Sequence, residues 1–259
     1  MSVNKRFLIQ IIILAIICIS VFTIVLDFSR LFGSSILYVA YPNHIIKRIN
    51  VVLAALLVWL AGKDSLNLNK QDNTKMKFVF IAIGCGEVSF LLAKPALAIG
   101  FFTVCQCLLI IRHCKGLRVK LIKASCPRKL KLALLLLILM SMPVFVIIIL
   151  YPMVKLDSTI FMGIAYSFVL SISLWSALTN HILALFPYKN SKMIAIGMLC
   201  FYLCDISVGL DGLLWSGTAW LLATSLTWVF YTPAITLLAL SCYRYEVGLP
   251  TTQKKLKSF

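Results

Sequence analysis

Eight apolar stretches divide the chain, at residues 7–26, 45–61, 78–93, 96–111, 132–150, 160–178, 193–210 and 219–241. A hydrocarbon core of about 30 Å takes about 20 helical residues, and only a helix or closed barrel satisfies its own backbone there. The pattern therefore predicts an all-α polytopic membrane bundle of about eight spans, one transmembrane domain over residues 1–259. The first stretch is too long for a signal-peptide core and lacks a small-x-small cleavage site, so it is expected to remain as a span. Residues 27–44 carry Phe28, Phe32, Tyr38 and Tyr41, as expected of a segment lying along the interface. Residues 62–77, with Asn67, Asn69, Gln71 and Asn73, read as a polar loop. Spans three and four are short, and Lys94-Pro95 between them predicts the tight turn of a helical hairpin. Pro143 is expected to kink span five; Pro233 falls in span eight, with Trp215 and Trp220 in an interfacial belt before it.

Charge orients the bundle. With the N-terminus inside, the inner segments hold twenty Lys and Arg against five outside, namely Arg30, Lys47, Arg48, Lys94 and Lys155. Both termini are thus expected to face the cytoplasm; the count does not choose between a bacterial inner membrane and a eukaryotic one, and the bacterial inner membrane is the expected location. The chain is 61% hydrophobic and 13% charged, with a mean hydropathy of +1.00, which excludes a soluble domain of this length. The net charge of +17 sits in short loops, so it points to anionic lipid headgroups at the basic loop 112–131 and not to nucleic acid. The nine cysteines fall mostly inside apolar runs and read as packing residues. Cys114 and Cys126 in the basic loop are free or acylated. Cys200 and Cys204 share a helical face, but no His or carboxylate stands at matching spacing, and His44, His113 and His181 fall in or near loops. No metal and no cofactor is expected. HExxH, Gly-x-Ser-x-Gly and nucleotide-loop motifs are absent from the sequence.

Two acids change the picture. Burying an ionised Asp near the centre of a membrane helix costs about 2.5–3.5 kcal/mol on insertion scales, so Asp205 in span seven and Glu87 in span three need a partner or a wet cavity. Counting along the spans puts Glu87, Asp205, Lys47, Tyr166 and Tyr231 in one layer just outside the midplane. They either converge on one pocket or are satisfied separately by neighbouring helices. Gln106 in span four reads as an interhelical hydrogen-bonding residue, and Gly84, Gly86 and Gly209 as points of close helix approach.

The order of these residues resembles the YhhN family of eight-span membrane proteins, whose animal members are lysoplasmalogenases. The corresponding stretches are Lys47-Arg48, Gly86-Glu87, Tyr166, the run Gly197-x-x-x-Phe201-Tyr202-Leu203-Cys204-Asp205, and Tyr231. Arg48 stands where the family has Pro, Glu87 where it has Asp, and Cys204 where it has Ser. The family's span-four His has no counterpart, Gln106 being the nearest polar residue, and Ile235 replaces a Gln.

The resemblance implies a membrane hydrolase that cleaves the vinyl-ether bond of a lysoplasmalogen or related lysophospholipid. Vinyl-ether hydrolysis needs an acid for the alkenyl carbon and a base for water, and paired carboxylates whose environments differ can supply both. Glu87 and Asp205 are the candidate catalytic pair, either one being acid or base. Lys47, Tyr166, Tyr231 and Gln106 are candidate substrate-binding or orienting residues, Lys47 for the phosphate. The alternative is a non-catalytic lipid-binding protein or small transporter that keeps the pocket without the chemistry. A proton-coupled carrier would use the same acids as relays, but no internal inverted repeat is evident.

Overall fold

The computed structural model describes residues 3–31, 43–62, 66–150, 158–213 and 217–245. Among them the chain forms nine helices and no strand: α1 (Val3–Leu31), α2 (Asn43–Ala61), α3 (Lys70–Leu91), α4 (Pro95–His113), α5 (Leu117–Lys123), α6 (Cys126–Leu150), α7 (Ser158–Ile182), α8 (Tyr188–Leu213) and α9 (Gly217–Leu240). Each of the eight apolar stretches lies on a helix. Six of these, α1, α4, α6, α7, α8 and α9, contain segments long and apolar enough to cross a bilayer, which marks a multi-pass membrane protein built as a helical bundle. Phe32, Tyr38, Tyr41, Lys155 and Trp215 lie outside the described residues.

The helices run beyond the apolar stretches because extending a helix costs far less than starting one. The largest difference is at α3. Its first turns were expected to be loop, but Asn69 is a helix N-cap whose side chain accepts a 2.9 Å hydrogen bond from the Gln71 amide, and Asp72 sits in the positive first turn. The basic loop 112–131 is likewise mostly helical: α4 continues through His113, α5 occupies its middle, and α6 starts at Cys126.

Contacts between helices close a ring of six. In order around the ring, α2 packs on α3, α3 on α4, α4 on α7, α7 on α8, α8 on α9, and α9 back on α2. α1 lies outside against α2 and α9, and α6 lies outside against α7, where Trp175 donates to the Leu132 carbonyl at 2.9 Å. Leu134, Leu137, Ile138, Phe145 and Ile148 of α6 stay exposed, as expected of a lipid-facing helix. The ring's core includes Leu57, Ile83, Leu109, Met198, Phe201 and Leu238, all fully buried.

Close approach depends on glycine at three positions. A Cβ at Gly62 would lie 2.5 Å from the Asn73 amide oxygen, one at Gly86 2.7 Å from the Phe102 ring, and one at Gly197 3.3 Å from the Ala234 carbonyl. Gly84 and Gly209, expected to act the same way, face open space. The reason is facial: a helix brings only one stripe against its neighbour, and these two lie off it.

Two helix ends use alanine where glycine is usual. At the α3–α4 turn Ala93 has φ of 53°, the Lys94 amide reaches the Ser89 carbonyl and the Ala93 amide the Phe90 carbonyl. Ala184 (φ of 49°) ends α7 with the same pair of bonds, from the Leu185 and Ala184 amides to the Asn180 and His181 carbonyls. This is the Schellman arrangement, and Pro95 then starts α4. A left-handed L-residue costs about 1–2 kcal/mol, which exceeds the roughly 0.4–1 kcal/mol that glycine loses through the unfolded chain. Ala184→Gly is therefore expected to raise the thermal midpoint in detergent modestly, and Ala184→Val to lower it.

Candidate functional site

Every helix of the ring contributes a polar or aromatic side chain to its interior. Asp205 on α8 accepts a 2.6 Å hydrogen bond from the Tyr166 hydroxyl on α7. It makes no ion pair among the described residues. Glu87 on α3 instead accepts a 3.1 Å hydrogen bond from the Arg48 guanidinium on α2. Lys47 is buried with its ammonium on the Asp27 carboxylate of α1, so a phosphate would have to compete with that acid. Lys47 and Arg48 also lie over the Trp228 ring of α9, at 5.7 and 5.9 Å.

Tyr231 and Gln106 stand beside these pairs without forming hydrogen bonds of good geometry. The Tyr231 hydroxyl adjoins Glu87 and the Gln106 amide adjoins Tyr166, yet the hydroxyl and both amide atoms are buried and unpartnered. Cys204 lies within electrostatic range of both carboxylates. Aromatic rings pack against one another in the same interior. Phe102 meets Phe201 at 6.3 Å, Phe201 meets Tyr231 edge-on at 5.8 Å, and Tyr231 meets Trp228 at 5.5 Å. The result is two carboxylates in unlike surroundings. Glu87 sits beside a guanidinium, whereas Asp205 has only a phenol.

A second polar cluster closes the end of the ring where α4, α7 and α9 finish. Arg112 is fully buried and grips Asp72 with two hydrogen bonds, Nε to Oδ1 at 2.8 Å and a terminal nitrogen to Oδ2 at 2.9 Å. Its other terminal nitrogen donates to the Ser241 hydroxyl at 2.9 Å, and the Phe186 ring lies 5.4 Å away. Asn190 donates to the Ser241 and Tyr243 carbonyls. Asn180 donates to the His113 carbonyl at 3.0 Å. Around this cluster the chain after α9 pairs with residues 66–68: Leu68 donates to Cys242 and Arg244 to Leu66, and the Tyr243 hydroxyl reaches the Leu57 carbonyl.

Arg112 therefore does not belong to the lipid-facing basic loop in which the sequence reading set it; seven exposed bases remain there, Lys115, Arg118, Lys120, Lys123, Arg128, Lys129 and Lys131. Sequence reasoning also passed over Asp27, Arg48 and Asp72 as site residues. A usable signal existed for Asp72, an acid three residues after a cap-forming Asn. None existed for Asp27, whose partner is twenty residues away. Among the described residues no group of His, Cys, Asp and Glu is arranged to hold a metal ion.

Comparison with protein-family models, with curated proteins and with solved structures found no match in any of the three.

Removing one partner of a buried ion pair costs about 3–5 kcal/mol, and removing both much less. Arg112→Met is accordingly expected to lower the thermal midpoint in detergent sharply, with partial recovery in Arg112→Met/Asp72→Leu. Half-burial pushes the Cys114 thiol up, whereas Cys126 is exposed at the start of α6. Maleimide at neutral pH should label Cys126 faster than Cys114, because the thiolate is the reacting form, as peptide mass spectrometry after short exposures can measure.

Proposed function

We propose that the protein is a lysoplasmalogenase-like hydrolase of the YhhN type, spanning a bacterial inner membrane eight times with both termini in the cytoplasm. In this reading α2 and α3 cross the bilayer with the other six helices of the ring and its flanks. The observation that carries it is the unlike setting of two carboxylates in one ring, part-buried Asp205 on Tyr166 and buried Glu87 on Arg48.

That difference supports a division of labour. Asp205, lacking a cation, acts as the acid and gives its proton to the alkenyl carbon, leaving an oxocarbenium ion. Glu87, paired with the Arg48 guanidinium, takes a proton from the attacking water. The hemiacetal then collapses to a fatty aldehyde and a free glycerol hydroxyl, a proton moving from the hemiacetal hydroxyl to the departing oxygen. Tyr166 orients the acid. The departures from the family pattern at positions 48 and 87 belong together here, since the longer Glu87 meets the guanidinium that replaces a proline. Seven exposed bases of residues 115–131 hold anionic lipid headgroups at the cytoplasmic face.

One observation favours the second reading, a non-catalytic lipid-binding protein. Phe102, Phe201 and Tyr231 form a run of buried rings packed edge to face inside the bundle, and the Arg48 ion pair occupies one of the two acids. The two readings separate on a single preparation. Purified protein given lysoplasmalogen should release aldehyde, and Asp205→Asn and Glu87→Gln should each lower the rate by about a hundredfold or more. Saturable binding of the lipid without aldehyde after prolonged incubation would favour the second reading and reject the first.

A further inference from the structure

The interface between α4 and α7 carries buried polar atoms that nothing in the proposed hydrolysis uses. Both amide atoms of Gln106, both ring nitrogens of His113, the hydroxyls of Ser173 and Thr179 and the carbonyl oxygen of Asn180 are buried without a hydrogen-bond partner. All five residues are fully buried. Burying a polar group without a partner is costly, and so many on one pair of helices is a pattern that needs a common cause.

Their heights agree. Asn180 bonds the His113 carbonyl, which sets those two residues level. Gln106 precedes His113 by seven residues on α4, and Ser173 precedes Asn180 by seven on α7. At 1.5 Å per residue each step is about 10 Å and two helical turns, so Gln106 and Ser173 are level again and on the same faces. Above them Gln106 adjoins Tyr166, and Tyr166 bonds Asp205. The polar groups thus form a column from Asp205 down to His113.

The hydroxyls themselves point the same way. Elsewhere in the bundle a Ser or Thr hydroxyl turns back to a carbonyl of its own helix, as in Ser167 to Ile164, Ser176 to Ser173, Ser207 to Leu203 and Thr236 to Thr232. This local bond was open to Ser173 and Thr179 as well. They do not make it.

We propose that the α4–α7 seam binds a file of internal water molecules that joins the Asp205 carboxyl to the His113 imidazole, a path for protons between the membrane acid and the Arg112 end of the bundle. Water is the ligand whose size and two-way hydrogen bonding suit amide, imidazole and hydroxyl groups together, each molecule needing about three partners. Tyr166, Gln106 and Ser173 would hold its upper part, and His113, Thr179 and Asn180 its lower part. The charged and titratable groups facing the path are Asp205 and Cys204 from α8, Cys105 and Arg112 from α4, Asp72 from α3 and Cys242 after α9. Arg112 and Asp72 are already locked to each other, which leaves His113 as the relay at that end. The path goes beyond the proposed hydrolysis and does not require it, since any use of Asp205 as a proton carrier would need such a route.

Hydroxyl-radical footprinting of the intact protein in nanodiscs tests it, because radicals generated from water label side chains that touch water. In the wild type His113 should be oxidised about tenfold faster, after correction for intrinsic reactivity, than Met76 and Met198, which are equally buried but lie outside the column. Equal, background labelling of all three would overturn the proposal. A second measurement follows the Asp205 carboxyl band, identified by its loss in Asp205→Asn, in infrared spectra after transfer to heavy water. Gln106→Leu should slow its exchange about tenfold while Gln71→Leu leaves it unchanged; exchange at the wild-type rate in Gln106→Leu would show that the path does not run through Gln106. Aldehyde release enters neither readout, so loss of the hydrolase reading and loss of the water path give different results.

Discussion

The guanidinium of Arg112 has no access to solvent, and the end of the bundle is organised around that fact. A buried cation is tolerable only when its charge is met and its donors are used. Asp72 meets the charge from α3, Ser241 takes a further donor from the last turn of α9, and Phe186 covers the plane. Asn190 then holds the same carbonyl at Ser241 that Arg112 touches. Helices α3, α4, α8 and α9 are thereby registered against one another by a charge, where apolar side chains alone would leave them free to slide. In a lipid environment this matters more than in water, because apolar faces gain little by choosing one another over acyl chains.

The other end of the ring solves the same problem in pieces. Asp27 with Lys47, Glu87 with Arg48 and Asp205 with Tyr166 are three separate settlements of buried charge, contributed by α1, α2, α3, α7 and α8. Trp228 links two of them by lying under both Lys47 and Arg48. The carboxylates therefore differ by design of their neighbours and not by depth. Such asymmetry is what acid–base chemistry exploits, and it is equally what a purely structural bundle needs to remain neutral inside.

The helical plan was legible from the sequence because hydrophobic runs and membrane thickness are both one-dimensional constraints. Even the hairpin turn could be read, since Lys94-Pro95 leaves the chain little choice. Boundaries were less legible. Lys70 to Lys77 reads as loop by composition, and only the pairing of Asn69 as cap with Asp72 as first-turn acid reveals a helix. For the site, Tyr166 and Asp205 were singled out and do touch, and Glu87 was singled out without its partner. Arg112 was misread for a physical reason: a base at the end of an apolar run normally reaches headgroups, and nothing local says that this one turns inward to an acid forty residues earlier. The α4–α7 hydroxyls were invisible for a similar reason, because serine in a membrane helix usually satisfies itself.

The strand-like tie between residues 66–68 and the segment after α9 bears on how the chain is made. Ser241, Cys242, Tyr243 and Arg244 are among the last described residues to leave a ribosome, yet they complete the Arg112 cluster and fasten the α2–α3 connection. Until they arrive, Asp72 and Arg112 can only hold one another in a half-built cage. Sealing of that face consequently waits until the chain beyond α9 has been made, and a nascent chain stalled within α9 would be inserted but left ajar.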